Sequence, residues 1–314
     1  MTRGSGIAIQ AGLWCLLLAS GPNGTAQQPS TTNEPKGRLI LGVLEDIPGE
    51  YSGESDFRAV RAVFQKVGDS WKPFPTKTKT YHDLETLPTS YPKEMMWTIA
   101  FDGRRLGAVT SVTPAHFSFY SEIGIERITS HESVPTIGGK SADYGGFLGE
   151  PVYRPLVALS KPNFFDPDRW KPAHLSPELI ASARRQFRKK FPMVSNCRNP
   201  DENVMRPWKY GDEDIHVIKT YSSKSGWSLI DLRLTGYACD GPNDGTGFIE
   251  QWYVVDPSGG AKFLGTDMWL LDAGDYDDSG KSAVLFSIDG YNMGGYRLFY
   301  SDFSKSAEFS FNFH

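Results

Sequence analysis

Asp275, Asp277 and Ser279 stand at alternate positions in the stretch Gly274-Asp275-Tyr276-Asp277-Asp278-Ser279-Gly280-Lys281. Side-chain oxygens at loop positions 1, 3 and 5, a glycine at 6 and a backbone carbonyl at 7 are the order in which a cage for calcium is laid down. In that reading Asp275, Asp277 and Ser279 offer side-chain oxygens and Lys281 its carbonyl. Position 9 is Ala283, and position 12, where an EF-hand places a bidentate Glu, is Phe286. Two carboxylates, one hydroxyl and one carbonyl leave water to complete a shell of roughly six to eight oxygens, so a calcium site here is weak. The rival reading is a metal-free acidic turn whose Asp and Ser side chains bond their own backbone amides. A second acidic loop, Cys239-Asp240-Gly241-Pro242-Asn243-Asp244-Gly245, has irregular spacing and reads as a turn.

Other chemistry has less support. His82, His116, His131, His174, His216 and His314 are scattered, with no H-x-x-x-H or H-E-x-x-H spacing for a zinc hydrolase. No G-x-S-x-G nucleophile elbow occurs. Paired carboxylates for glycoside hydrolysis converge in space and leave no spacing signature. Glu45 and Asp46, at the end of the first apolar run, and Asp231, inside a later one, are the candidates for that role. Each is more simply a solvent-facing charge.

These residues have to be positioned by β structure. Aromatics at 13% and 32 glycines favour strands and turns. Leu39–Leu44 and Phe57–Val67 read as strands, although the second also carries a helical period. Met95–Phe101 and Arg104–Val112, joined by Asp102-Gly103, predict a hairpin. Residues 161–177 are proline-rich, and Phe164, Phe165 and Trp170 are expected to dock on the surface. Pro177–Lys190 is the one predicted helix. Ser176 stands at its cap and Pro177 at its first position. Leu179, Ala183, Phe187 and Phe191 share one face, and the basic run Arg184–Lys190 reads as a solvated face.

From Ile215 the pattern becomes a meander. Strand candidates are 215–221, 227–237, 248–255 and 261–264, then 268–271, 282–288, 296–300 and 308–313. Phe309, Phe311 and Phe313 alternate with polar residues at period two. The fold expected is mainly β, of antiparallel meanders, with one helix at 177–190. A β-propeller-like arrangement is the first choice and a two-sheet sandwich the alternative. The chain divides into a leading segment 1–26, a flexible polar leader 27–38, an N-terminal β-rich region with the helix at 39–209, and a C-terminal meander region at 210–314.

Residues 1–26 have the layout of a secretory signal peptide. Arg3 precedes an apolar run from Ile7 to Ala19, and Gly24 and Ala26 occupy the −3 and −1 positions of a cleavage site. The run of about 13 residues is too short to cross a hydrocarbon core, which needs about 20. No later segment is apolar enough to span, so no transmembrane segment is expected after signal removal. The expected location is periplasmic or extracellular. There Cys197 and Cys239 are expected to form a disulfide. A net charge of −4 gives no electrostatic case for nucleic acid.

The loop Gly274–Lys281, followed by Ala283-Val284-Leu285-Phe286, resembles the calcium loop of FG-GAP and VCBS-type repeats, over about residues 265–301. The resemblance implies blade-like sheets and a calcium ligated by Asp275, Asp277, Ser279 and the Lys281 carbonyl. Those repeats usually carry an acidic side chain where this chain has Ala283. The function expected is that of an exported non-enzymatic binding or scaffold protein, with a protein or glycan ligand. The alternative is an exported, glycan-directed hydrolase.

Overall fold

Alternation of apolar and polar residues gives way to continuous apolar runs in the first half of the chain, and those runs are buried on both faces. The computed structural model describes residues 38–47, 56–76, 91–114, 122–144, 151–196, 206–235, 248–290 and 292–312. The expected signal peptide, Cys197, Cys239 and the second acidic loop lie outside the described residues.

β1 (Ile40–Ile47) pairs antiparallel with β2 (Phe57–Val67), which turns through Gly68-Asp69 into β3 (Ser70–Pro73). β4 (Glu94–Phe101) and β5 (Arg104–Val112) form the expected hairpin, with Asp102 and Gly103 at φ 50° and 68°. That left-handed pair fits the right-handed twist of the flanking strands. β6 (Ile125–Ile128) and β7 (Leu156–Leu159) complete the set. The order β1-β7-β4-β5-β6-β2, with β1 also bonded to β2, closes a six-stranded barrel, and β3 extends β2 outside it. Closure removes the free sheet edges that hairpins alone would leave. Pro155 stands just before β7, so it takes no donor out of the ladder.

β8 (Lys171–Pro172) precedes the helix α1 (Pro177–Lys190), whose bounds match the sequence reading. Ser176 has the extended backbone of a cap residue, but its side chain makes no capping bond. The basic half of α1 is more engaged than a solvated face. Arg184 donates to the Ile215 carbonyl at 2.7 Å, Arg188 to Asp212 at 3.0 Å, and the Lys190 ammonium lies 3.3 Å from the Phe263 ring centroid. A short pair, β9 (Val194–Asn196) and β10 (Arg206–Trp208), follows.

The two expected meanders are both present. β11 (Ile215–Ser222), β12 (Ser228–Thr235), β13 (Phe248–Val255) and β14 (Ala261–Thr266) form one sheet, extended by β8. β15 (Met268–Gly274), β16 (Ala283–Gly290), β17 (Met293–Tyr300) and β18 (Lys305–Asn312) form the other. Among the described residues the fold is therefore mainly β and antiparallel with one α-helix. Among the described residues no helix is long and apolar enough to cross a membrane.

Three of the four hydrophobic clusters among the described residues stack these elements. Ala183 and Phe187 of α1 pack on Ile230, Leu232 and Tyr253 of the first meander. Its other face meets the second meander through Trp252 and Phe286, whose rings cross edge to face at 5.0 Å. Leu285, Leu298 and Phe309 of the second meander join Leu44, Phe64 and Trp97 of the barrel in the largest cluster. At Gly295 a Cβ would collide with the Phe309 carbonyl and come within 2.9 Å of the Ser310 Cα, both backbone atoms of β18. Gly295→Ala is therefore expected to cost about 3 kcal/mol by spreading β17 from β18. The urea midpoint measures this, and an unchanged midpoint would contradict the close approach.

Candidate functional site

The acidic loop connects β15 to β16, and its fold follows from one carboxylate. Asp275 is fully buried. Its Oδ1 accepts the amides of Asp277 at 3.2 Å and Ser279 at 3.0 Å, and its Oδ2 accepts the Gly280 amide at 2.7 Å. The Ser279 hydroxyl lies 3.5 Å from Oδ1. Gly280, at φ +75°, lets the backbone curl back toward that carboxylate. Asp275, Ser279 and the amides of the intervening turn are thus brought together. Lys281 donates its amide to the Ser279 hydroxyl at 3.4 Å, and its side chain pairs with Asp302.

Two lysines from distant segments reach the same loop. Lys66 of β2 pairs with Asp277, and its ammonium lies 5.4 Å from the Trp71 ring centroid and 5.7 Å from that of Tyr300. Burial pushes the Asp277 carboxyl up, but hydrogen bonds from Lys66 and Ser279 outweigh it, and the net effect is a lowered pKa. Lys161, just beyond β7, donates to the Asp275 carbonyl at 2.8 Å and to Asp278 Oδ1 at 2.6 Å. Neither lysine is marked by the sequence, because Lys66 and Asp277 are 211 residues apart.

The proline-rich segment completes the site. The Asp275 amide donates to the Phe165 carbonyl at 2.9 Å. Asp166 accepts the Trp170 amide at 2.6 Å and the Ser282 hydroxyl, and Asp168 accepts the Ser282 amide at 3.3 Å. Phe164 stacks on Tyr276 at 5.8 Å, while Phe165 stays 47% exposed. Tyr276 is buried, and desolvation pushes its hydroxyl well above the ordinary value. Beside it Asp272 accepts the Asp102 amide at 3.2 Å, and burial raises its carboxyl to about 7.

The carboxylates singled out for hydrolysis have separate partners, Glu45 and Asp46 side by side on β1 and Asp231 on β12. Glu45 accepts Arg61 Nε at 2.8 Å, Arg61 Nη2 at 3.0 Å and the Tyr296 hydroxyl at 2.6 Å. Asp46 pairs with Arg58 at 2.7 Å and accepts the Tyr153 amide at 2.9 Å. Asp231 is 1% exposed and lies near Glu250, which is itself held by Arg233 at 2.6 Å. Burial, then the Glu250 charge, raises the Asp231 carboxyl; Lys219 and Arg233 oppose the rise. None of the three is the solvent-facing charge the sequence suggests, because each sits on a strand whose neighbours cover it. Glu126 is a further buried acid, the second residue of β6. It accepts the Trp97 indole at 3.1 Å and the Ser111 hydroxyl, and burial raises it to about 7. Nothing in the local sequence, where Glu122 and Arg127 are charged as well, sets Glu126 apart.

Among the described residues no group of three or more His, Cys, Asp or Glu side chains is placed to hold a metal ion. Comparison of the chain with protein-family models, curated proteins and solved structures finds no match.

Proposed function

We propose that this protein is an exported, non-enzymatic binding or scaffold module in which residues 275–282 act as an internal fastening. The observation that carries this reading is the use to which the acidic side chains are put. Asp166, Asp168, Asp275 and Asp277 bind backbone amides, a hydroxyl and a lysine of their own chain, and so join the barrel, the proline-rich segment and the second meander. Carboxylates satisfied in this way add structure rather than a reaction centre. The layout of residues 1–26 supports export to a periplasmic or extracellular location, where the ligand would be a protein or a glycan. Two consecutive four-stranded meanders packed face to face support the blade-like part of the fold reading. The closed barrel stands outside it.

A glycan-directed hydrolase is the second reading, and Asp231 with Glu250 is the observation in its favour. Burial raises the Asp231 carboxyl beside Glu250, which Arg233 holds at 2.6 Å, and two carboxyls in unlike surroundings are what acid–base catalysis requires. Chromogenic aryl glycosides separate the two. The scaffold reading expects no release above the uncatalysed rate from pH 4 to 8. Turnover that disappears in Glu250→Gln would establish the hydrolase instead.

A further inference from the structure

A loop laid out for a cation receives two, and both belong to this chain. We propose that the ammonium groups of Lys66 and Lys161 serve as the loop's resident cations, so that the fastening closes without calcium. The inference rests on reading the loop as an internal stability element. Lys66 is housed on three sides, by Asp277 and by the faces of Trp71 and Tyr300. Such a setting favours a fixed ammonium over a mobile surface lysine. Lys161, 8% exposed, spends one donor on a loop carbonyl and another on a loop carboxylate.

Charge and geometry agree. Asp277 and Asp278 are each paired with a lysine, so the loop already holds two ammonium groups, and Asp275 spends both carboxylate oxygens on backbone amides. A calcium ion would add two more positive charges, while needing roughly six to eight oxygens. Asp277 is engaged by Lys66, the position-9 residue is Ala283, and the position-12 residue is Phe286, both buried and without oxygen in the side chain. Topology supplies a reason for the exchange. A metal ion would close the loop on itself. Lysines on β2 and beyond β7 close it onto the barrel, which fixes the second meander against its neighbour.

The test is a set of thermal melts of the full chain, as wild type, Lys66→Met and Lys161→Met, each in millimolar calcium and in EDTA. The wild type is expected to melt at one midpoint in both. The two variants are expected to melt several degrees lower in both, since each leaves partly buried acceptors without a donor. A wild-type midpoint that rises saturably with calcium overturns the proposal, because a ligand of the folded form must raise it. Variants that melt like the wild type overturn it as well. If a variant does not fold, calorimetric titration of the wild type with calcium decides, and one-site heat is the overturning result. Glycosidase activity would sink the non-enzymatic reading and leave these melts as they are.

Discussion

Asp275→Ala is expected to lower the thermal midpoint by roughly 6–10 °C, the largest loss from any single change in the loop. The carboxylate is fully buried and accepts three backbone amides. A buried donor left without its acceptor costs about 1–3 kcal/mol, and partial entry of water recovers some of that. A net loss of about 3–5 kcal/mol follows, at about 2 °C per kcal/mol for a chain of this size. Asp275→Asn keeps one acceptor oxygen and is expected to lose about half as much. The order Ala below Asn below wild type, read by calorimetry, identifies the amides as the cause. If Asp275→Ala melts within about 2 °C of wild type, the loop amides find other partners and the carboxylate is not the loop's organiser.

Much of the architecture around that carboxylate was legible, and the reason lies in the local nature of the signals. The period-two alternation at Phe309 and Phe311, the Asp102-Gly103 turn and the four-residue recurrence in Pro177–Lys190 each act within one or two elements. The alternate acidic spacing was legible for the same reason, since Asp275 binds amides two, four and five residues ahead. Barrel closure was not. It depends on β1 meeting β7 more than a hundred residues later, through apolar runs that carry no register information of their own. The cations of the loop were illegible too. A lysine on a strand reads as solvated until its distant partner is known, and Lys66 stands one residue before the end of β2. The same blindness applied to Asp231 and Glu126. Their burial comes from strands that neither residue's neighbours announce.

Those buried acids lead to the second large effect, a stability that falls as pH rises. Glu126 faces Trp97, Ser111 and Tyr91, none of them a cation, and its Oε1 has no partner among the described residues. An oxygen in that position is best occupied by a proton. Burial accordingly raises the Glu126 carboxyl from 4.5 to about 7. Asp231 Oδ1 and Asp272 Oδ2 are likewise without partners, and both carboxyls are raised. A raised folded-state value means that the folded chain holds protons the unfolded chain has released. The stabilisation is then fully present below the unfolded value near 4 and is lost as pH climbs through the folded value. At about 1.4 kcal/mol for each pH unit between the two, Glu126 alone accounts for roughly 3 kcal/mol between pH 4 and pH 8. Urea melts are therefore expected to show a more stable protein at pH 5 than at pH 8. Glu126→Gln, neutral throughout, is expected to flatten the profile. It should be more stable than wild type by about 1–3 kcal/mol at pH 8 and differ little from it at pH 4.5. Asp231→Asn should shift the curve in the same direction from its separate place in the first meander. A wild-type profile that rises from pH 5 to pH 8 would mean that these carboxyls are ionised in the fold and paired by groups outside the described residues.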